Sequence, residues 1–318
     1  MSMQKKLRVI FIGGSSRSGS TLLGRMLGQI GGFLHVGELH QIWKKSFGQD
    51  WICECGQGFK DCPFWVDVVG RALGNLEQAK LKSIRAMKHS VERVLRKPAL
   101  LRWALRTPAY WANVRRYAAL VRRLLEAVQH VSACEAVVDS SKNAAHGFVL
   151  CNVENLELSV VHLVRDSRAV AHSLRRKKVQ AGPKGRMVYM PRSGIIDGCR
   201  IWRRENTCTL ALKNASTHYL LLRYEDLAQQ PYECMLQIAE RLNLPAEALG
   251  FISGRTVDLG PSHSLSGNPM RFQQGTIEVR PDDEWRWAMP WCDKAMVTAL
   301  TWRLLRRFGY RSGPRHLA

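Results

Sequence analysis

The chain is short of acid. Its 26 Asp and Glu stand against 48 Lys and Arg, a formal net charge of +22 at pH 7 over 318 residues. Across residues 80–123 Glu92 is the only carboxylate. A chain this basic meets anions: nucleic acid, a phospholipid surface, or acidic small molecules and glycans. Other absences narrow that choice. There is no RNA-binding signature and no zinc-finger spacing, so charge alone does not make a nucleic-acid binder, and none is expected as partner. No run of apolar residues is long enough to span a bilayer. The N-terminus, Met-Ser-Met-Gln-Lys-Lys, has no signal-peptide core, and the expectation is a soluble, cytoplasmic protein. The nine cysteines are an odd, scattered set, which suits a reducing compartment. Internal repeats and low-complexity segments are absent, and 46% hydrophobic residues are enough for a real core.

What is present begins at once. Val9 to Ile12 is an unbroken apolar run, fit for a strand buried on both faces. It runs into Gly13-Gly14-Ser15-Ser16-Arg17-Ser18-Gly19-Ser20-Thr21. Leu22, Leu23, Met26, Leu27 and Ile30 then recur at helical spacing, with Gly31 and Gly32 expected to end the helix. Strand, Gly-rich turn, helix is an anion-binding arrangement, because N–H groups at a helix N-terminus point outward. Gly14 and Gly19 have the spacing of a nucleotide-binding P-loop, but Ser20 occupies the position where that motif needs Lys. Arg17 supplies a cation from inside the loop, and its planar fork suits a tetrahedral oxyanion. The turn therefore points to a phosphate- or sulfate-like group rather than magnesium-ATP.

Further along, His35, Glu38 and His40 lie close behind the loop. Cys53-Glu54-Cys55 followed by Cys62 resembles a metal clip, but a fourth ligand at regular spacing is missing; His35, His40 or Asp61 could complete it. The expectation is a reduced, structural cysteine loop pinned by Phe64 and Trp65, with no metal. Residues 71–131 read as helices and as a basic helical insertion or lid within a single domain spanning 1–318. Trp103, Tyr110 and Trp111 interleave there with the cations. That mixture suits an anionic membrane surface or an acidic glycan.

Three more strands are expected, at 136–139, 158–164 and 218–222. Polar residues after a parallel strand lie at the carboxyl edge of the sheet, where ligands bind. Asp139 ends the second strand and Lys142 follows it; Lys142 argues for an anion contact or a catalytic cation. Arg165 ends the third, and Ser173 lies eight residues on, in the next helix. Tyr224-Glu225-Asp226-Leu227 follows the fourth. Helices are expected over 195–213, 231–242 and 293–308. Residues 182–194 form a candidate gate, and residues 254–280 show no periodicity.

These residues resemble the sulfotransferases that use 3′-phosphoadenosine 5′-phosphosulfate (PAPS). Ser16-Arg17-Ser18-Gly19-Ser20-Thr21-Leu22 looks like that family's 5′-phosphosulfate loop. Arg165 through Ser173 looks like its 3′-phosphate motif, whose Arg and final Ser contact the phosphate. Tyr224-Glu225-Asp226-Leu227 matches a weaker signature, and 267–271 resembles a loop that closes over the nucleotide, bringing Arg271 in as a contact. The resemblance implies an α/β, three-layer P-loop-like fold with a central parallel sheet flanked by helices. It implies PAPS as co-substrate, no metal, and in-line transfer to an acceptor hydroxyl. Arg17 and the loop N–H groups would neutralise charge, with Lys142 as a further cation. Glu38 resembles the base of tyrosyl-protein and some carbohydrate members, with His35 and His40 as rivals. The basic segment favours a carbohydrate or glycolipid acceptor reached by peripheral contact with an anionic membrane. The rival readings are a kinase-like P-loop protein, which would need magnesium-ATP, and a non-enzymatic basic protein that binds polyanions or membranes.

Overall fold

The computed structural model describes residues 6–74, 77–95 and 107–310. Arg96, Lys97, Arg102, Trp103 and Arg106 of the basic segment lie outside them. Five parallel strands form the central sheet: β1 (Leu7–Gly13), β2 (Phe33–Gly37), β3 (Ala136–Lys142), β4 (Leu156–Val164) and, further on, β7 (His218–Arg223). Their spatial order is β2-β3-β1-β4-β7. The chain leaves β1 toward β2 on one side and later returns to β4 on the other. That reversal puts a topological switch point at the carboxyl end of β1, where open α/β sheets bind ligands.

Alternation along β1 explains the layers. Val9 and Phe11 face one side and Ile10 and Ile12 the other, all at most 3% exposed. On the first side packs a helical layer made of α2 (Pro63–Leu73), α3 (Gln78–Leu95) and α4 (Pro108–Ser132), joined by a later short helix. Val114, Tyr117, Val121, Leu124, Leu125 and Val128 of α4 are buried at helical spacing. On the second side pack α1 (Ser20–Leu27) and, later in the chain, the helix Pro231–Arg241. The architecture is α/β, with a parallel sheet between helical layers.

Residues 71–131 thus supply much of one layer of the core. Tyr110 is 7% exposed, and Trp111 packs on Phe148 with ring centroids 6.0 Å apart. These two aromatics face inward, while Arg115, Arg116 and Arg123 are exposed. The first helix ends at Leu27 with Gly28 as its cap, not at Gly31 and Gly32. Gly24 and Gly28 leave room for His35 beneath the helix: a side chain at either would run into its ring or its Cβ.

After β4 come α5 (Ser167–Arg175), the hairpin β5 (Val179–Ala181) and β6 (Met187–Tyr189), and α6 (Ile195–Ala211). Asp166 caps α5, accepting from the Arg168 N–H at 2.8 Å. The segment 254–280 holds two four-residue strands, β9 (Thr256–Leu259) and β10 (Gly275–Glu278), paired antiparallel to each other, with a short β8 (Ile252–Ser253) at the edge. Strands this short leave too little alternation to be read from sequence.

Candidate active site

The turn after β1 is held in a shape that only its own residues allow. Gly14 has φ +121° and Gly19 φ +87°. A side chain on Gly14 would strike the Leu163 carbonyl, and one on Gly19 would strike the Tyr224 ring. Arg17 itself takes a left-handed φ of 66°. Ser18 turns its hydroxyl inward to donate to the Ser15 carbonyl at 2.7 Å. The first α1 bond runs from the Leu23 N–H to the Gly19 carbonyl at 3.1 Å, so the preceding N–H groups lie at the helix entrance.

This turn lines a cavity of about 570 Å³ at the carboxyl edge of the sheet. The cavity collects nearly all the residues singled out in the sequence: Arg17, Gly19, Ser20, Thr21, Leu22, Glu38, Lys142, Arg165, Ser173 and Tyr224. Six cationic side chains line it (Arg17, Lys45, Lys142, Arg165, Lys178, Arg280) against three acids (Glu38, Asp282, Glu278). A concave site with that excess of positive charge favours an anion.

At one end sits Arg165, 5% exposed. It donates to the Arg17 carbonyl at 3.1 Å and to the Asp282 carbonyl at 2.7 Å. The Asp282 carboxylate lies 3.2 Å away, and the Tyr224 ring lies under the guanidinium at 4.4 Å. Its Nε is buried without a protein partner, a free donor on a fixed cation. Ser173, on α5, lines the same end. The hairpin brings in Met190, whose sulfur accepts from Arg17 at 3.0 Å.

At the other end Glu38 and Lys142 meet at 2.6 Å. Lys142 has a left-handed φ of 61° and also donates to the Ser140 carbonyl at 3.0 Å. Ser266 reaches Glu38 Oε2 at 3.3 Å, and Lys45 donates to Ser266 at 2.7 Å. Burial pushes the Glu38 carboxyl up, but Lys142, Lys45 and His40 outweigh it and hold the carboxyl down at about 2. Glu38 is therefore ionised at neutral pH.

The two histidines do not line this cavity. His35 is buried beneath α1 with Nε2 on Ser140 Oγ at 2.9 Å, and burial lowers its pKa to about 3. His40 faces Gln41 at 2.8 Å, and burial pushes it well below its usual range. Asp139 is fully buried and bonded to Ser141 and to His146; it does not face the cavity as a magnesium-binding acid would.

Two expected contacts are placed elsewhere. Ser18 points into its own turn, as described. Arg271 is 2% exposed and donates to the carbonyls of Ser264 at 2.8 Å and Ile52 at 2.7 Å. Its guanidinium ties two loops together inside the protein, because the turn at 269–272 faces it inward; the neighbours Gly267, Asn268 and Met270 line the cavity in its place. Lys45, Ser266 and Asp282 join the site without any local signal in the sequence, while Lys178 belongs to the basic run that follows Ser173. Each arrives from a different segment.

A family model described as "Sulfotransferase family" matches residues 9–248. No curated protein matches the chain significantly. Among solved structures, the fold resembles the sulfotransferase domain from the Synechococcus PCC 7002 olefin synthase, with a TM-score of 0.53 and 22% identity over 98% of both chains. It also resembles the sulfotransferase domain from the curacin biosynthetic pathway, with a TM-score of 0.51 and 18% identity over 97% of this chain and 99% of that one.

Proposed function

Because the chain belongs to the sulfotransferase family, we propose that it moves a sulfuryl group from PAPS to an acceptor hydroxyl. The observation that supports this best is the convergence of Arg17, Lys142, Glu38 and Arg165 on one cavity from four segments of the chain. The site fits the nucleotide on its own chemistry. Arg165 offers a buried, partnerless Nε beside the Tyr224 ring, which with Ser173 makes a receptor for the 3′-phosphate. The N–H groups of the turn, with Ser20 and Thr21, receive the 5′ group. PAPS supplies the sulfuryl group, and the 3′,5′-bisphosphate is the leaving group.

Transfer of this kind asks the protein for positioning and charge neutralisation rather than covalent chemistry. Arg17 and the turn stabilise negative charge on the leaving oxygen. Glu38 takes the acceptor proton as the S–O bond to the acceptor forms and the bond to the nucleotide breaks. A carboxylate held at about 2 by Lys142 is a weak base. Lys142 resolves this by leaving Glu38 for the incoming sulfuryl oxygens, which raises the basicity of Glu38 when it is needed.

For the acceptor we propose a hydroxyl on a carbohydrate or glycolipid at an anionic membrane surface. No helix among the described residues is long and apolar enough to cross a membrane, so contact would be peripheral. The hairpin beside the cavity exposes Met187 and Tyr189, each 67% accessible, and Arg115, Arg116 and Arg123 are exposed on α4. Apolar tips with cations suit an anionic bilayer. None of the nine cysteines is in a disulfide, which suits a cytoplasmic setting. Thermal unfolding with 3′-phosphoadenosine 5′-phosphate, compared with ATP-magnesium, tests the nucleotide assignment. A clear rise in Tm with the bisphosphate and little with ATP-magnesium is expected; the reverse would point to a kinase-like site.

A further inference from the structure

The sequence offers three cysteines and no fourth ligand at regular spacing. The fold supplies one. His263, 201 residues beyond Cys62, brings Nδ1 to 3.4 Å from the Cys62 sulfur and 3.8 Å from that of Cys53. The sulfurs of Cys55 and Cys62 are 3.6 Å apart, and those of Cys62 and Cys53 are 3.7 Å apart. All four ligand atoms lie within 4.8 Å of one another. We propose that Cys53, Cys55, Cys62 and His263 form a structural zinc site.

The distances argue for it directly. A tetrahedral zinc with Zn–S bonds of about 2.3 Å sets its sulfurs about 3.8 Å apart, and with Zn–N of about 2.0–2.1 Å it sets sulfur and nitrogen about 3.6 Å apart. These four of the six edges fall close to those lengths, and the other two are at most 4.8 Å. They are far beyond the roughly 2.05 Å of a disulfide. Three thiolates and one imidazole in a closed tetrahedron select zinc among the common divalent ions. Binding would release the thiol protons and leave the centre with one net negative charge.

The residues around the four ligands hold them in place. The His263 ring stacks on Phe64 with centroids 4.7 Å apart and 13° between planes. The Trp65 indole donates to the His263 backbone carbonyl at 2.8 Å, so the backbone is held by Trp65 and the imidazole by Phe64. Arg271 bridges the carbonyls of Ile52 and Ser264, the neighbours of Cys53 and His263, and so places a buried cation beside an anionic centre. Arg25 pairs with Glu54 at 3.2 Å, and Glu54 in turn accepts from Ser264 Oγ.

The site's consequence is positional. Leu265 pairs with the β2 end: its N–H donates to Val36 at 2.9 Å, and its carbonyl accepts from Glu38 at 2.7 Å. Ser266 and Asn268 then reach Glu38 and Thr21. A metal tying His263 to the 53–62 loop anchors the stretch that holds the Glu38 backbone and carboxylate. The metal itself takes no part in the chemistry.

The test is metal analysis of the full chain purified without chelator, with cobalt(II) substitution as a second measurement. One zinc per chain is expected, falling at least several-fold in Cys55→Ser, whose parent side chain is exposed, and in His263→Ala. Cobalt-loaded wild type should show tetrahedral ligand-field bands with thiolate charge-transfer absorption, so the wild type decides even where a variant does not fold. Hydrogen exchange should rise across 53–62 and 263–268 when the metal is stripped. Wild type without bound metal and without a cobalt spectrum would overturn the proposal. So would full zinc in both variants, or a disulfide among the three cysteines of protein kept reduced.

Discussion

The two ends of the cavity are built in different ways. The nucleotide end draws on two continuous stretches, residues 15–22 and 165–173, each leading from a strand end into a helix. Its chemistry resides in backbone N–H groups and in one cation locked by Asp282, Tyr224 and the Arg17 carbonyl. The reacting end is assembled from single residues of separate segments: Glu38, Lys45, Lys142 and Ser266. The first end fixes its cation through several contacts at once and reads a charge pattern. The second is a network in which one carboxylate is shared between Lys142 and Ser266, so a ligand can redistribute its bonds. The difference separates binding from turnover, and substitutions should separate them too.

The sharpest break is Glu38→Gln. It should lower turnover by roughly two to four orders of magnitude while leaving the affinity for 3′-phosphoadenosine 5′-phosphate unchanged, as read by steady-state rates beside calorimetry. His40→Gln, behind the cavity, should change turnover by less than about tenfold. An inactive His40→Gln enzyme with an active Glu38→Gln one would move the base to the histidine.

Arg165→Ala attacks the opposite end. It should weaken the bisphosphate nucleotide by about 2–5 kcal/mol, because a buried anion loses its charged donor. A nucleotide lacking the 3′-phosphate should be nearly unaffected. Equal loss for both ligands would remove Arg165 from this role.

Lys142→Met probes how the ends communicate. Glu38 now sits at about 2, below the ordinary carboxylate range, chiefly because Lys142, Lys45 and His40 outweigh its burial. Its ionisation therefore favours the folded state above the ordinary carboxylate range, and that contribution fades as pH falls toward 2. Without Lys142 the Glu38 carboxyl rises, so the acid limb of the rate profile should move to higher pH and acid unfolding should begin at higher pH. A rate profile that lowers uniformly with no shift would confine Lys142 to the sulfuryl group.

How much of this was legible in the sequence follows from the same contrast. The sheet order rests on buried strands whose apolar runs are plain at 9–12, 136–139 and 158–164, and the structure extends each by a few residues. The nucleotide end was legible because Arg17 to Leu22 and Arg165 to Ser173 are local. Glu38 and Lys142 were found as single residues near strand ends. Lys45, Ser266 and His263 were not, because a loop far along the chain folds back over β2 to bring two of them in, and no short-range pattern encodes that. Arg271 was placed in the site by its motif, but the turn at 269–272 directs its guanidinium onto two carbonyls.

The smallest expected effect is at the surface. Replacing the exposed Arg115, Arg116 and Arg123 together by Ser should leave nucleotide binding and turnover of a water-soluble acceptor within about twofold, since exposed charges outside the cavity contribute little. Co-sedimentation with anionic vesicles at low salt should fall. Unchanged vesicle binding would leave that face simply solvated and the membrane-borne acceptor without support from it.

The most direct measurement is calorimetric titration of 3′-phosphoadenosine 5′-phosphate, without added magnesium, into wild type, Glu38→Gln and Arg165→Ala. The account predicts equal, tight binding to the first two and a loss of at least about 2 kcal/mol in the third. Undiminished binding by Arg165→Ala, or loss of binding in Glu38→Gln, would contradict it.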